Sequence, residues 1–333
     1  FWWGSCNVVK MLAEVDAVEY ITASEASNMW GMSSRRIKYI LSAGRIPGAV
    51  KTGKLWLIPA DAQRPVDGRR RVTPAPPSLA DDLAAVIASA AVPMPADNPD
   101  AILDTLSQER LRLQYEGDLA YLRGDFARTM SCYKKTEGDD AARMRACPIA
   151  IAAAISLGAY DSYIEIESYL KKKCTLGGSV RAIAELCLAT AAVSVIAPNM
   201  VPEWLKTGDM SALPPQALPN AFSLRAKYFL CIGQYEAMLA TAQTAQALSA
   251  APGGITTTDI YLRVSCAVAC HYMGNIAEAK RHLLDAMGFA LPHGFITPFA
   301  EQVPALCGLV EQCLEQAFPA YLNTVLAQWE RSG

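Results

Sequence analysis

Residues Tyr20–Arg71 read YITASEASNMWGMSSRRIKYILSAGRIPGAVKTGKLWLIPADAQRPVDGRRR. Thr22-Ala23-Ser24-Glu25 has the form of a capping box, in which a Thr hydroxyl and a Glu carboxylate each accept an otherwise orphaned amide. Ala23, Ala26 and Trp30 recur at helical spacing, and Gly31 supplies a left-handed stop. Met32 leads to Ser33, a second N-cap, and the next helix is expected to run to Ala43 and stop at Gly44. Helix, short glycine turn, helix is the outline of a helix-turn-helix.

The second helix declares its orientation. Ile37, Ile40 and Leu41 fall on one side and must find a core. Arg35, Tyr39 and Ser42 fall on the opposite side, with Ser34, Arg36 and Lys38 beside them. Such a cationic, hydrogen-bonding face suits a recognition helix meeting base edges and phosphates. Downstream, Ile46–Val50 and Leu55–Ile58 flank Lys51-Thr52-Gly53-Lys54, which predicts a β-hairpin with a basic tip. A hairpin in that place acts as a wing, with Lys51, Thr52 and Lys54 against an adjacent phosphate strand.

Charge follows the same division. Between Tyr20 and Arg71, ten cations (Arg35, Arg36, Lys38, Arg45, Lys51, Lys54, Arg64, Arg69, Arg70, Arg71) face three anions (Glu25, Asp61, Asp67), a balance of +7 in a chain of net charge −2. Residues 1–19 carry −2 and the stretch beyond Arg71 carries −7. Positive charge is therefore concentrated in one small module, and the acidic remainder would repel nucleic acid. Arg69, Arg70 and Arg71 extend the expected DNA-binding set as a basic tail.

The stretch ITASEASNMWGMSSRRIKYILSAGRIPGAVKTGKLWLIP resembles the winged helix-turn-helix of the excisionase/MerR-like group. That pattern is a helix, a recognition helix, G-x-I-P, and a short wing closing on a Trp and a Pro. The resemblance covers roughly forty residues and implies a double-stranded DNA ligand. No second helix-turn-helix and no dimerising coiled coil follows the wing, so inducer chemistry of the MerR type is not implied.

A chain of 333 residues suggests two or three domains, and its 52% hydrophobic content suffices for a substantial core. Residues 1–19 read as a leader without a basic n-region or a signal-peptide h-region, with Met11 as a candidate start. Val72–Ser78 (VTPAPPS) opens a Pro-rich linker expected to extend to residue 99; Leu79–Ala91 could form a helix within it, but Pro93, Pro95 and Pro99 break the chain again, and the second domain is expected to begin near Asp100. The apolar runs Ala146–Ala159 and Ala182–Ala197 are broken by Pro148 and Gly158 or carry Glu185, so no membrane span is expected. Ten scattered cysteines without a CxxC pair point to reduced, buried thiols in a cytosolic protein, and the resemblance to bacterial DNA-binding modules implies a cytoplasmic protein acting at the nucleoid.

From residue 100 onward almost everything reads as helix, and an internal echo appears. Gly124, Gly158, Gly233 and Gly274 each sit in an apolar-x-Gly-x-aromatic/apolar core. Gly158 follows Gly124 by 34 residues, the tetratricopeptide period, whereas Gly274 follows Gly233 by 41. Each glycine is expected to turn one helix back on the next, leaving an apolar face for a neighbouring pair. Pro198–Pro219 interrupts the echo as a long ordered loop, a size often functional. The segments APNMVPEWLKTGDMSALPP, LRAKYFLCIGQYEAMLATAQTA, YLRVSCAVACHYMGNIAEAKRHLLDAM and LPHGFITPFAEQVPALCGLVEQCLEQAFP resemble the tetratricopeptide-like region of MalT/LuxR-type bacterial transcription regulators. No LuxR-type helix-turn-helix and no GxxxxGK[ST] phosphate loop accompanies them.

The fold expected is therefore mainly α: a small winged helix-turn-helix domain over residues 20–71, then an α-helical repeat domain over residues 100–333. His271, His282 and His293 recur every eleven residues, yet no carboxylate cluster joins them, and no G-x-S-x-G, H-E-x-x-H or G-x-G-x-x-G occurs. Neither a catalytic centre nor a metal or other cofactor is expected. The function expected is that of a DNA-binding transcription regulator. Its helical domain would take a small-molecule or protein effector and hold a homodimer together, with Val303–Leu314 and Ala320–Trp329 lending a face. The alternative is a helical interaction scaffold without sequence-specific DNA binding.

Overall fold

The computed structural model describes residues 19–65, 77–249 and 254–332. The chain divides into two compact units, one reaching Ala75 and one beginning at Pro76. It is mainly α-helical, and among the described residues no helix is long and apolar enough to cross a membrane. Residues 1–18 and the Arg69–Arg71 tail lie outside the described residues.

The first unit comprises β1 (Tyr20–Thr22), α1 (Ala23–Trp30), α2 (Ser34–Ser42), β2 (Val50–Thr52) and β3 (Leu55–Pro59). The capping box forms as expected: the Thr22 amide donates to Glu25 Oε2 at 2.6 Å and the Glu25 amide to Thr22 Oγ1 at 3.3 Å. Those bonds, the one from the Thr22 amide foremost, hold the Glu25 carboxyl below its ordinary pKa. Gly31 ends α1 at φ 61°. Ser33 is an extended N-cap for α2 but donates or accepts no side-chain cap bond, and the helix ends one residue before Ala43.

Two features of this unit differ from expectation. A third strand is present, since β1 pairs antiparallel with β3 (Ile21 opposite Ile58) in a sheet of order β1-β3-β2. Three residues are too few to carry a period, and the strand exists only through its distant partner. The hairpin is also shorter: only Val50 of Ile46–Val50 is in strand, Thr52 pairs Leu55, and the turn is Gly53-Lys54. Gly53 alone of that pair has positive φ, at 61°, as a two-residue turn led by glycine requires. Ile46 is buried instead with Ala26, Trp30, Ile37, Ile40, Leu41 and Ile58 in a single small core. Gly48 (φ 76°) makes that return possible, because a Cβ there would stand 2.9 Å from Cγ of Pro59.

The second unit begins with α3 (Leu79–Ser89) and β4 (Met94–Pro95), followed by α4 (Ile102–Thr105). Helix hairpins follow: α5 (Glu109–Leu122) with α6 (Phe126–Lys134), then α7 (Asp140–Ser156) with α8 (Tyr160–Cys174). Next come α9 (Gly178–Ser194), a short α10 (Glu203–Thr207), α11 (Leu218–Cys231) paired with α12 (Tyr235–Ser249), and β5 (Gly254–Ile255). Last are α13 (Thr257–Tyr272) with α14 (Ile276–Ala290), α15 (Thr297–Ala300), α16 (Val303–Leu306), α17 (Leu309–Ala317) and α18 (Leu322–Ser332). Gly124, Gly158, Gly233 and Gly274 lie at helix–helix turns with φ between 62° and 78°. The equivalent turn after α9 has Ile196 at φ 54°, a residue type that gives no turn signal in sequence.

Residues 79–99 do not belong to a linker. Leu83, Val86 and Ile87 of α3 are buried in the core shared with α7 and α9. Arg110 of α5 binds Asp82 through both guanidinium nitrogens at 3.0 Å and also reaches Asp139, the N-cap of α7, at 3.0 Å. The prolines misled because they bound β4, which pairs with β5 some 160 residues away (Met94 opposite Ile255). The Pro198–Pro219 stretch likewise packs inward: Val201, Leu205 and Leu213 are buried, and Trp204 Nε1 donates to Glu185 Oε2 at 2.7 Å.

Helix α7 runs straight through Pro148. Proline lacks the N–H that would bond the carbonyl four residues back. That carbonyl, of Met144, accepts instead from the Cys187 thiol of α9 at 3.5 Å. Burial holds the Cys187 thiol well above its ordinary pKa, so the donor is retained. The cysteines among the described residues are all free; most are buried, but Cys307 is exposed rather than apolar filling.

The helices form a closed circuit. Helices α5, α7, α9, α11 and α13 pack in succession, and α15 then packs on both α13 and α5. The Ile296 amide donates to the Leu122 carbonyl at 2.9 Å, and Thr297 Oγ1 to the Tyr121 carbonyl at 2.6 Å. The Tyr121 hydroxyl donates to the Glu301 carboxylate. The closing helices α16–α18 spend their apolar residues on this core: Val303, Leu306, Leu309, Val310, Leu314 and Val325 are buried. Among the described residues these side chains are therefore committed to the core, which leaves less apolar surface than expected for association through Val303–Leu314 and Ala320–Trp329.

Starting the chain at residue 100 should strip α3 from this core, whereas starting at residue 77 should leave a cooperative helical fold. Leu83→Ala should cost roughly 2–5 kcal/mol, as deletion of a fully buried leucine side chain does. Denaturant unfolding of the 77–333 fragment checks both, and equal stability of the two truncations would contradict the assignment of α3.

Candidate nucleic-acid interface

Helix α2 is positioned from beneath. Ile37, Ile40 and Leu41 are buried against α1 and Ile58, which fixes its rotation. Arg35, Arg36, Lys38, Tyr39 and Ser42 are exposed and Ser34 is partly so. Tyr39 is 72% exposed although its ring would gain from burial. The helix has no acidic residue, and no ion pair holds Arg35 or Lys38 among the described residues. Arg36 already has a partner. Arg35 and Tyr39 thus form the centre of an outward face with a charge and a phenol to offer.

Ser42 is the weakest member of the set. Its hydroxyl donates back to the Lys38 carbonyl at 2.7 Å and the Tyr39 carbonyl at 3.0 Å, so its proton is spent on its own helix. Only its lone pairs remain for a ligand.

The hairpin residues do not share one surface. Lys51 stands opposite Trp56, and its ammonium lies 5.9 Å from the Trp56 ring centroid. That contact holds the Lys51 stem along the indole while leaving the charge exposed. Thr52, one residue on, points to the other face of the hairpin, and Lys54 occupies the turn. All three are exposed. A backbone running past the tip would meet Lys54 first, with Lys51 and Thr52 on either side.

Two contributors escaped the sequence reading. Gly48 returns the chain so that β3 can lie on the helices, and β1 braces the sheet from its far side. The Gly-Ala pair after Pro47 is the only local signal for the first; nothing local signals the second.

The three histidines occupy separate environments in the other unit. His271 packs edge-on to Tyr272 with ring centroids 5.7 Å apart, and His282 lies beside Glu278 at 4.0 Å. Burial lowers the pKa of His282. His293 Nε2 is 2.9 Å from the Ala96 carbonyl, so that nitrogen carries the proton. No group of three metal-ligating side chains occurs among the described residues. Asp81, Asp82, Asp139 and Asp140 lie at helix N-termini and Lys171–Lys173 at a helix C-terminus, where they complement the helix dipoles.

Compared with known proteins, the sequence matches no family model and no curated protein significantly.

Proposed function

We propose that the protein is a DNA-binding transcription regulator. In this reading the first unit is a winged helix-turn-helix: α2 enters the major groove and the β2–β3 hairpin lies along the neighbouring phosphate strand. The observation that carries the proposal is the outward face of α2, where Arg35 and the 72%-exposed Tyr39 stand on a helix without acids. Arg35 would read a guanine edge, because a guanidinium fork matches its two acceptors. Lys38, Lys51 and Lys54 neutralise phosphates and carry no sequence information.

The helical unit is proposed to take an effector and to hold two copies together on DNA. One such module buries only about 600–1,000 Å² of surface, whereas specific regulators bind at about 10⁻⁸ M or tighter. A second copy closes that gap. The most exposed large apolar side chains of this unit, among the described residues, are at the turns after α7 and α9. Tyr160, Ile196 and Met200 are 70%, 71% and 67% exposed there, and at the turn after α13 Tyr272 is stacked on Tyr235 at 4.6 Å. Large apolar side chains left exposed favour association.

Selection from random duplex DNA should yield a defined site, and Arg35→Ala should cost about 1–3 kcal/mol on that site and relax one base position. Lys54→Ala should weaken all sequences alike and lower the salt slope by about one. Equal loss on specific and random DNA for Arg35→Ala would remove α2 as the reader. Binding without any preferred site would favour the scaffold.

The footprint should contain two half-sites, and sedimentation should show a concentration-dependent dimer that Ile196→Glu disrupts. Loss of the second half-site should weaken binding about tenfold or more, on the order of 1.4 kcal/mol. A strict monomer on DNA with undiminished affinity would contradict the dimer.

A further inference from the structure

Inside the helical circuit lies a cavity of about 540 Å³. It opens where α5, α7 and α9 meet the first turns of α11 and α13, with residues 90–94 and 215–217 along its margin. Its size falls within the range of about 300–1,000 Å³ typical of small-molecule sites. The walls are largely apolar: Ile87, Met94, Met144, Ile149, Leu186 and Leu248 all face it.

Two charges interrupt those walls. Arg145 Nη2 of α7 donates to Asp118 Oδ2 of α5 at 2.8 Å. The Asp118 side chain is 8% exposed and that of Arg145 is 23% exposed. Asp118 Oδ1 is buried with no hydrogen-bond partner among the described residues. A carboxylate can accept about four hydrogen bonds, and here it receives one from a guanidinium that carries five N–H donors. A buried pair left this incomplete costs stability. As a brace between α5 and α7 alone it would be outperformed by two apolar side chains. Its position on a cavity wall supplies a different reason for it.

We propose that this cavity binds a small uncharged amphiphile whose head presents an N–H beside a C=O, as a carboxamide or lactam does. The ligand carbonyl accepts from Arg145, its N–H donates to the Asp118 carboxylate, and its apolar body lies against the methionine and aliphatic walls. The terminal torsion of an aspartate is broad, so the carboxylate can turn its unmet oxygen to the cavity while Arg145 keeps the other. The head must be neutral because the pair is already balanced, and an added buried charge would have no counterpart. A pure hydrocarbon would fill the space and leave Asp118 unmet. The inference sharpens the effector half of the function proposed above and does not rest on the DNA half.

Titration calorimetry on the full chain without DNA, using octanamide, octanoate and octylammonium, tests it. Octanamide is expected to bind about tenfold or more tightly than either charged homologue. Asp118→Asn leaves Arg145 unbalanced and should transfer the preference to octanoate. Ala91→Trp, at an exposed position on the cavity margin, should abolish binding of all three with the helical signal and melting temperature unchanged. Binding that survives Ala91→Trp, a wild-type preference for a charged head, or no binding at millimolar probe would each overturn the proposal. None of these outcomes bears on whether α2 reads DNA.

Discussion

The helical unit depends on the meeting of its first hairpin with its closing segment. The last carbonyls of any α-helix lack partners within the helix. At the end of α5 the Tyr121 carbonyl accepts from Thr297 and the Leu122 carbonyl from the Ile296 amide. Burial and the neighbouring Glu301 carboxylate hold the Tyr121 phenol well above its ordinary pKa, so it stays a donor to that carboxylate. Arg123 adds a bond to the His293 carbonyl at 3.2 Å and an ion pair to Asp100 at 2.6 Å. Apart from the Asp100 ion pair, these contacts span 170 to 180 residues of sequence. An open repeat array is held only by nearest neighbours, whereas here α5 is packed by α7 on one side and α15 on the other. The cavity follows from that closure, since α5 brings Asp118 to Arg145 while α11 and α13 complete the wall.

The two units carry opposite charge and suit different ligands. The first has a surplus of cations over a small core of eight buried apolar residues. The second is acidic and large, and its incomplete Asp118–Arg145 pair lies on a cavity wall. An acidic helical unit would repel nucleic acid, which suits the proposed division of labour between the two units. A neutral cavity placed among α5, α7, α9, α11 and α13 is where a ligand can act on helices distant in sequence at once.

Local chemistry was legible in the sequence. Thr22 and Glu25 form their capping box, Ile37, Ile40 and Leu41 are buried as their spacing required, and four glycines turn helices as expected. Each of these is decided within a few residues. What escaped was decided at long range. Strand β1 exists through β3, and α3 looked like part of a linker because its partners Arg110 and α7 lie 28 residues or more beyond it. Ile196 occupies a left-handed turn where the other hairpins place glycine, so the third repeat left no mark. Pro148 reads as a helix breaker but sits inside α7, because Cys187 of another helix satisfies the carbonyl it frees. The cavity gathers residues from Ile87 to Thr258, and no motif spans that distance.

Native-state hydrogen exchange on the full chain measures closure most directly. Amides of α5, α13 and α15, the Ile296 amide included, should exchange through one shared opening with a single free energy and a common denaturant dependence, because they belong to one circuit. A graded pattern would contradict closure: α15 to α18 fraying first, then α13 and α14, while α5 to α9 stay protected, as in an array held by nearest neighbours alone.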